Sequence, residues 1–380
     1  MVARNCALEK LVKMLIRPDF WRRKSVLVTG HTGFKGGWLA LWLSQMAAEV
    51  HGFALPPDTD PSFFTLCGLD RAVHSTLGDI RDADAIFDTV KLAKPEIVFH
   101  LAAQSLVRRS YRDPAATFAT NVIGTVNLLE AVRACPSVRA IVVITSDKCY
   151  QNNDWVWGYR ETDALGGHDP YSASKACAEF VAAAYHRSFF KVNGGSGVSL
   201  ATARAGNVIG GGDWSEGRLV PDAMRAFALD NELVIRNPGS TRPWQHVLNP
   251  ITGYLMLAQS LYSDGAKYCG AWNFGPHEDD AISVAAVIEQ LAKRWGENTT
   301  WRIEQQGERL HEDRFLKLDC SKARTLLGWV PLLNLSDALE MTVAWYRAAY
   351  CGNRRAMAQF SREQISHYER CLGALNDEVR

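Results

Sequence analysis

The sequence predicts an α/β protein: a doubly wound parallel sheet followed by a smaller, mixed α/β C-terminal lobe. Two observations carry this. Short apolar runs alternate with helical patterns over residues 25–206, the signature of strands that need crossover helices. Beyond Gly206 the alternation breaks into helix-like and strand-like pieces punctuated by Pro221, Pro238, Pro243, Pro250 and Pro276, which sets that part apart.

The elements follow in order. Ser25-Val-Leu-Val-Thr-Gly30 is an apolar run closed by Gly, and Trp38-Leu-Ala-Leu-Trp-Leu43 continues as a helical apolar stretch, giving strand, tight turn and helix. Further strands are expected at Glu49–Ala54, Glu96–Leu101, Ala140–Thr145 and Ser199–Arg204, with one more just before Asp79. Helices are expected at Ala83–Leu92, Ala115–Ala134 and Tyr171–Phe190. The pattern divides the chain into an N-terminal arm (1–20), a dinucleotide-binding domain (21–206, with segments near 240–260 returning to it), a substrate lobe (207–350) and a tail (351–380). Repeats and low-complexity segments are absent.

Composition narrows the function. The 380 residues are 47% hydrophobic and 10% aromatic, enough for a large core, and the formal net charge of +1 argues against a broad nucleic-acid-binding field. Nine Cys without a Cys-x-x-Cys pair read as reduced thiols in a cytoplasmic protein, and no metal site is expected. Charges at Arg4, Glu9, Lys10 and Lys13 interrupt any signal-peptide core in the arm, and no run approaches the ~18 uninterrupted apolar residues of a membrane span.

Gly30-His-Thr-Gly33-Phe-Lys-Gly36 stands where the first strand hands over to a helix. Glycines let the backbone approach a pyrophosphate, and the N–H groups of a helix start donate to its oxygens. Thr32, Phe34 and Lys35 fall inside this turn; Lys35 either reaches a phosphate or is simply solvated. The second strand ends Gly52-Phe-Ala-Leu-Pro56, with no acid for ribose hydroxyls and no base for a 2′-phosphate, so the residues leave NAD and NADP open.

Tyr171 and Lys175, at i and i+4 on one helix, share a face. An ammonium beside a phenol favours the phenolate, which makes Tyr171 a base for a sugar hydroxyl. Ser146, after the fifth strand, is placed to bond the same oxygen. Asp147-Lys148 adds an acid–base pair suited to elimination.

The Gly-x-x-Gly-x-x-Gly spacing resembles the extended short-chain dehydrogenase/reductase superfamily, which implies a Rossmann-like fold, NAD and the Ser146-Tyr171-Lys175 set. By the same resemblance Asp79-Ile80 lies beside adenine, His100-Leu101-Ala102-Ala103-Gln104 and Thr145 line the cofactor, and Asn121 organises contacts around it. The stretches Thr145–Tyr150, Trp155–Arg160, Gly166–Tyr171, Arg204–Trp214 and Arg242–His246 are similar to the CDP-glucose branch of the sugar-nucleotide 4,6-dehydratases, from about Phe20 to Tyr346. That implies a CDP-glucose substrate, with Gln104, Arg204, Asn207, Arg218, Arg242 and Arg314 as ligands. It also implies a homodimer or homotetramer built on helices 115–134 and 171–190, with Phe180, Val181 and Phe189 at the contact. Asp147 reads as acid at the leaving hydroxyl; Lys148, where relatives acting on dTDP-glucose carry Glu, is either a base or an electrostatic stabiliser. Rival readings are another nucleotide-sugar epimerase or decarboxylase, or a non-catalytic nucleotide-sugar-binding protein.

Overall fold

The computed structural model describes residues 16–190, 197–296, 299–304, 315–352 and 356–378. At its centre is a seven-stranded sheet in which every pairing is parallel. The strands are β1 (Ser25–Thr29), β2 (Glu49–Ala54), β3 (His74–Leu77), β4 (Ile97–His100), β5 (Ala140–Ile144), β6 (Ser199–Arg204) and β7 (Gly270–Asn273). In space they run β7-β6-β5-β4-β1-β2-β3. The chain walks outward from β1 to β3 and returns to β4 on the other side of β1. Such a reversal opens a crevice at the carboxyl ends of the two central strands.

Apolar residues on both faces force this layering. Val26 and Val28 of β1 pack in one core and Leu27 in another, because successive strand side chains point to opposite sides. One core is closed by α1 (Phe34–Gln45), whose Trp38 and Trp42 are fully buried. Burying side chains of this size contributes upwards of about 2 kcal/mol each. The other is closed by α2 (Ala83–Ala93), α3 (Pro114–Arg133) and α4 (Pro170–Tyr185), through Ile86, Val90, Leu128, Val132 and Ala182. β3, at the sheet edge, is mostly exposed, which is why its sequence is polar.

Two helices depart from regular geometry. α3 holds a π-turn at Ala119–Ile123, and α4 runs on as a second at His186–Phe190. α3 has the length and apolar average of a membrane-crossing helix, but its apolar side is packed onto the second core.

After β6 come α5 (Leu219–Ala228), then α6 (Leu248–Tyr268), which crosses back beneath β5 and β6 and delivers β7 to the sheet. The returning segment therefore reaches Asn273, beyond the expected 240–260. α7 (Val284–Trp295) and α8 (Leu335–Cys351) complete the lobe with short two-stranded ribbons. The expected tail is largely a helix, α9 (Met357–Glu378), laid back against α1: Trp42 Nε1 donates to Glu369 Oε1 at 2.8 Å and Gln45 Nε2 to Ser366 Oγ at 3.0 Å. Of the expected arm, residues 1–15 lie outside the described residues.

Candidate active site

A cavity of about 730 Å³ runs along the carboxyl ends of the strands and under the lobe. It is lined by every predicted cofactor and catalytic residue except Asn121 and His100, the latter buried between Thr29 and Thr125, and by Gln104, Asn207, Arg218 and Arg242 of the predicted substrate set. Arg314 lies outside the described residues.

At the crevice, Gly30 turns left-handed at φ +78° and a Cβ there would sit 2.7 Å from the Ala102 nitrogen. A Cβ on Gly36 would collide with the Gly30 carbonyl. Only glycine brings β1, the segment after β4 and α1 this close. Gly33 begins α1 with no side-chain cap, so its first N–H groups face the cavity for an anion. This cradle fits a dinucleotide pyrophosphate, and the cavity continues to Asp79 and Arg81 after β3, where an adenosine end has room. The Arg81 guanidinium, donating Nε to both Asp79 oxygens at 2.9 and 3.0 Å, holds that carboxyl below its ordinary range despite burial. Asp58 also lines the cavity, ion-paired to Arg109 at 2.9 Å; it lies beyond the end of β2, where the sequence showed no acid.

The reactive side chains stand at β5 and α4. Asp169 caps α4, its Oδ1 accepting from Ser172 N at 3.0 Å, and Pro170 opens the first turn, so Tyr171 is presented at the helix start. Tyr171 stands beside Ser146, and the Ser146 hydroxyl donates to Asp147 Oδ1 at 2.9 Å. Lys148 N also donates to that oxygen, at 2.9 Å. Ser146 of the predicted hydride-transfer set and the predicted elimination pair are thus joined by hydrogen bonds, with Tyr171 alongside. Asp147 needs the glycine at 206: a Cβ there would overlap its carboxylate.

Burial dominates the titration of this cluster. It pushes the Tyr171 phenol up to about 12, with the Asp147 and Asp169 carboxylates adding to the rise and Ser146 and Arg218 opposing it, and the Lys175 ammonium down to about 8, against Glu179 and Cys149. The polypeptide alone therefore does not lower the Tyr171 pKa as expected, because desolvation of the phenolate outweighs the groups that favour it. Lys175 Nζ instead donates to the Ile144 carbonyl at 3.2 Å. Lys35 is also brought down to about 8, by burial first and then by Arg218 and Lys175, with Asp147 raising it. Its ammonium thus feels the reacting cluster as well as the glycine turn.

Two predicted ligands are corrected. Arg204 is 2% exposed and committed to the scaffold: Nε and Nη2 donate to Glu179 at 2.9 and 2.8 Å, and Nη1 donates to the Tyr150 hydroxyl at 2.6 Å. A buried carboxylate demands this partner, leaving no guanidinium edge for a diphosphate. Asn121 sits in the π-turn of α3, away from the cavity. Its side chain accepts from Gln104 N at 2.8 Å and donates to the Gln104 carbonyl at 3.0 Å and Ser174 Oγ at 2.8 Å. It shapes the wall that lines the cavity, as π-turns often do at working sites.

Other residues keep their place. Arg218 pairs with Asp213 at 2.8 Å and still faces the cavity, and Asn207 adopts a left-handed φ of +46°, a strained backbone typical of sites that need an exact carbonyl direction. Trp244 lines the cavity, whereas Trp214 packs on Trp345 and Tyr346, and Tyr150 lies under Arg204. Glu179, missed by sequence reading, also accepts from Thr145 Oγ1 at 2.5 Å and Thr202 Oγ1 at 2.7 Å. Its signal was its position one turn after Lys175, on the buried face of α4. Among the described residues no cluster of His, Cys, Asp and Glu could hold a metal ion.

The sequence model of the GDP-mannose 4,6 dehydratase family matches residues 27–342. CDP-glucose 4,6-dehydratase of Salmonella typhimurium is 49% identical over 356 residues, 93% of this chain and 98% of that enzyme. dTDP-glucose 4,6-dehydratase of Xanthomonas campestris is 28% identical over 84% of this chain and 92% of that one. Among solved structures, MoeE5 in complex with UDP-glucuronic acid and NAD superposes with a TM-score of 0.72 at 25% identity, over 85% of this chain and 99% of MoeE5. UDP-glucose 4-epimerase of Thermotoga maritima, at 23% identity and TM-score 0.70 over 85% of this chain and 99% of the epimerase, shares the fold.

Proposed function

The chain belongs to the GDP-mannose 4,6-dehydratase family, and from that premise we propose that it converts CDP-D-glucose to CDP-4-dehydro-6-deoxy-D-glucose, a lyase reaction with NAD as its recycled cofactor. The observation that carries this reading is near-complete coverage, at 49% identity, of an enzyme of that name. The clustering of Tyr171, Ser146 and Asp147, with Ser146 hydrogen-bonded to Asp147, supports it by supplying in one cavity what oxidation and elimination both need.

NAD, when bound, supplies the hydride acceptor and donor and a positive ring near the phenol. Gly30, Thr32, Gly33, Phe34, Lys35 and Gly36 would hold its pyrophosphate, Asp79 and Ile80 its adenine, and Leu101–Gln104 and Thr145 its other half. Tyr171 accepts the proton of the C4 hydroxyl; Ser146 bonds the same oxygen; Lys175, held by the Ile144 carbonyl, lends positive charge. Once C4 is a ketone the C5 proton is acidic. Asp147 gives its proton to the C6 hydroxyl, which leaves as water. Lys148 is open to two roles: as an amine it takes the C5 proton, and as an ammonium it holds the enolate charge while Tyr171 or water takes that proton. Lys148→Arg separates them, since guanidinium keeps the charge but accepts no proton: retained solvent-deuterium exchange at C5 would leave the electrostatic role, and lost exchange the base role.

We assign residues 21–206, with the returning segment, to the cofactor and 207–350 to the nucleotide sugar, with Gln104, Asn207, Arg218 and Arg242 along the diphosphate and sugar. We place the enzyme in the cytoplasm as a homodimer or dimer of dimers. Phe180 and Phe189 on the α4 side and Phe118 and Ile123 on α3 are apolar and exposed, whereas Val181 packs against the core.

The test is incubation of the protein with CDP-, dTDP-, UDP- and GDP-glucose separately, read by mass spectrometry. Loss of one water from CDP-glucose, without net reduction of added NAD, is the expected result. An isomer of unchanged mass would replace this reading with epimerisation.

A further inference from the structure

Two groups of residues line the cavity beside Tyr171 and Asp147. One is the glycine turn with Asp79, which follows the edge strand β3; the other is Asn207, Arg218 and Arg242 with Arg236, Asn237 and Glu304 from the lobe. With the cofactor on the first group and the sugar at the reacting cluster, the second group is left for the rest of the sugar nucleotide, and its lobe residues for the base. We propose that Arg236 and Glu304 read this base, and that the pair selects cytosine over uracil and thymine. The proposal rests on the dehydratase reading above and deepens it.

The local fold brings the two side chains together. Leu233–Ile235 and Trp301–Ile303 pair in parallel as a two-stranded ribbon, with Ile303 opposite Ile235. Arg236 and Glu304 are the next residues on each strand, and Glu304 N donates to the Ile235 carbonyl at 2.8 Å, so the register holds them side by side. Arg236 Nε donates to Glu304 Oε2 at 2.9 Å. That single bond orients the carboxylate and leaves the terminal guanidinium N–H groups as donors, since guanidinium carries five in all.

The chemistry separates the pyrimidines. Cytosine presents an amino donor at C4 beside acceptors at N3 and O2. A carboxylate accepts from that amino group, and guanidinium N–H groups donate to the ring acceptors. Uracil and thymine place a carbonyl oxygen at C4, so a carboxylate there meets a second acceptor with no proton between them. Such a mismatch discriminates more strongly than a missing contact, because a charged group is left without its partner.

The same ribbon supplies an internal control. Arg302 and Glu232 form a second cross-strand pair at 2.7 Å, similarly exposed, but neither lines the cavity. If Arg236–Glu304 were only a ribbon brace, the two pairs would behave alike.

The experiment uses the full-length protein and compares the parent with Glu304→Gln, Glu304→Ala and Glu232→Gln. CMP and UMP binding is measured by calorimetry, and kcat/KM for CDP-glucose and UDP-glucose by product formation. The parent is expected to prefer cytidine; both Glu304 variants should narrow the cytidine-to-uridine ratio by about tenfold or more, and Glu232→Gln should leave it unchanged. A ratio that stays within about twofold of the parent in both Glu304 variants, or a parent that binds CMP and UMP alike, overturns the proposal. Preference for CMP that depends on Glu304, without loss of water from CDP-glucose, would uphold the base reader and reject the dehydratase reading instead.

Discussion

Two arginine–glutamate pairs in this protein have the same chemistry and opposite settings. Arg204–Glu179, behind the reacting cluster, is 3% and 4% exposed and shares its oxygens with Thr145 and Thr202. Arg236–Glu304, where the lobe lines the cavity, is 49% and 32% exposed, and the other oxygen of its carboxylate is turned to no protein donor among the described hydrogen bonds. The first pair has exchanged water for protein on every side, so removing one partner strands a charge. The second has kept its water, so a ligand can displace that water and inherit the contact. The protein fixes the place where bonds are broken and leaves the place where the base is recognised free to be filled.

The largest effect expected of this contrast is in stability. Glu179→Ala leaves the Arg204 guanidinium buried beside Tyr150 with no carboxylate, and a loss of about 3–5 kcal/mol is expected from urea unfolding. The same variant frees Thr145, next to Ser146, so turnover should fall with stability. Exchanging both partners, Glu179→Leu with Arg204→Met, should cost less than the single change, since no charge is stranded. Equal losses for the single and double variants would break the distinction between the pairs.

How far the sequence foretold this arrangement depends on the range of the interaction. Local pattern was legible: alternating strands and helices gave the sheet, and Tyr171 and Lys175 at helical spacing gave a shared face. Interactions across long separations were not. Arg204 looked like a phosphate ligand because Glu179, its partner, is on another element; Gly206 looked like a domain boundary, although its missing side chain is the room Asp147 occupies. Arg236 and Glu304 are 68 apart in sequence and meet only because a ribbon pairs Ile235 with Ile303. β3, polar at an exposed edge, was placed only through the Asp79 that follows it, and β7, short and delivered by α6, had no clear strand signal.

A smaller, graded effect follows from pH and tests whether burial is as complete in the returning segment as in the sheet. His100, between Thr29 and Thr125 at the end of β4, and His246 in the returning segment, beside Trp38 of α1, are both brought down to about 3 by burial, and His31 beside the glycine turn to about 4. Each stays neutral in the folded protein while the unfolded chain binds a proton below about 6.5. The unfolded state therefore binds more protons between these values, and stability is lost as pH falls from about 6.5 toward 3. The expected slope is about 1.4 kcal/mol per pH unit for each histidine. Urea midpoints at pH 7, 6 and 5 read it, and His246→Gln should remove one histidine's share. A slope unchanged by His246→Gln would mean that water reaches the interior between the returning segment and α1.

The smallest effect is expected at Glu232. Glu232→Gln removes a cross-strand ion pair whose side chains are 49% and 56% exposed, where solvent screening and the entropy of holding two long side chains offset most of the attraction. Unfolding should change by less than about 0.5 kcal/mol. Glu304→Gln should be equally mild in stability because its pair is similarly exposed and sits on the same ribbon. The two variants then differ only when a nucleotide is present: the Glu304 variant loses ligand-induced stabilisation by CMP, and the Glu232 variant keeps it. Thermal shift with and without CMP makes that comparison within one ribbon, where strand pairing, pair chemistry and exposure are shared and only the cavity differs.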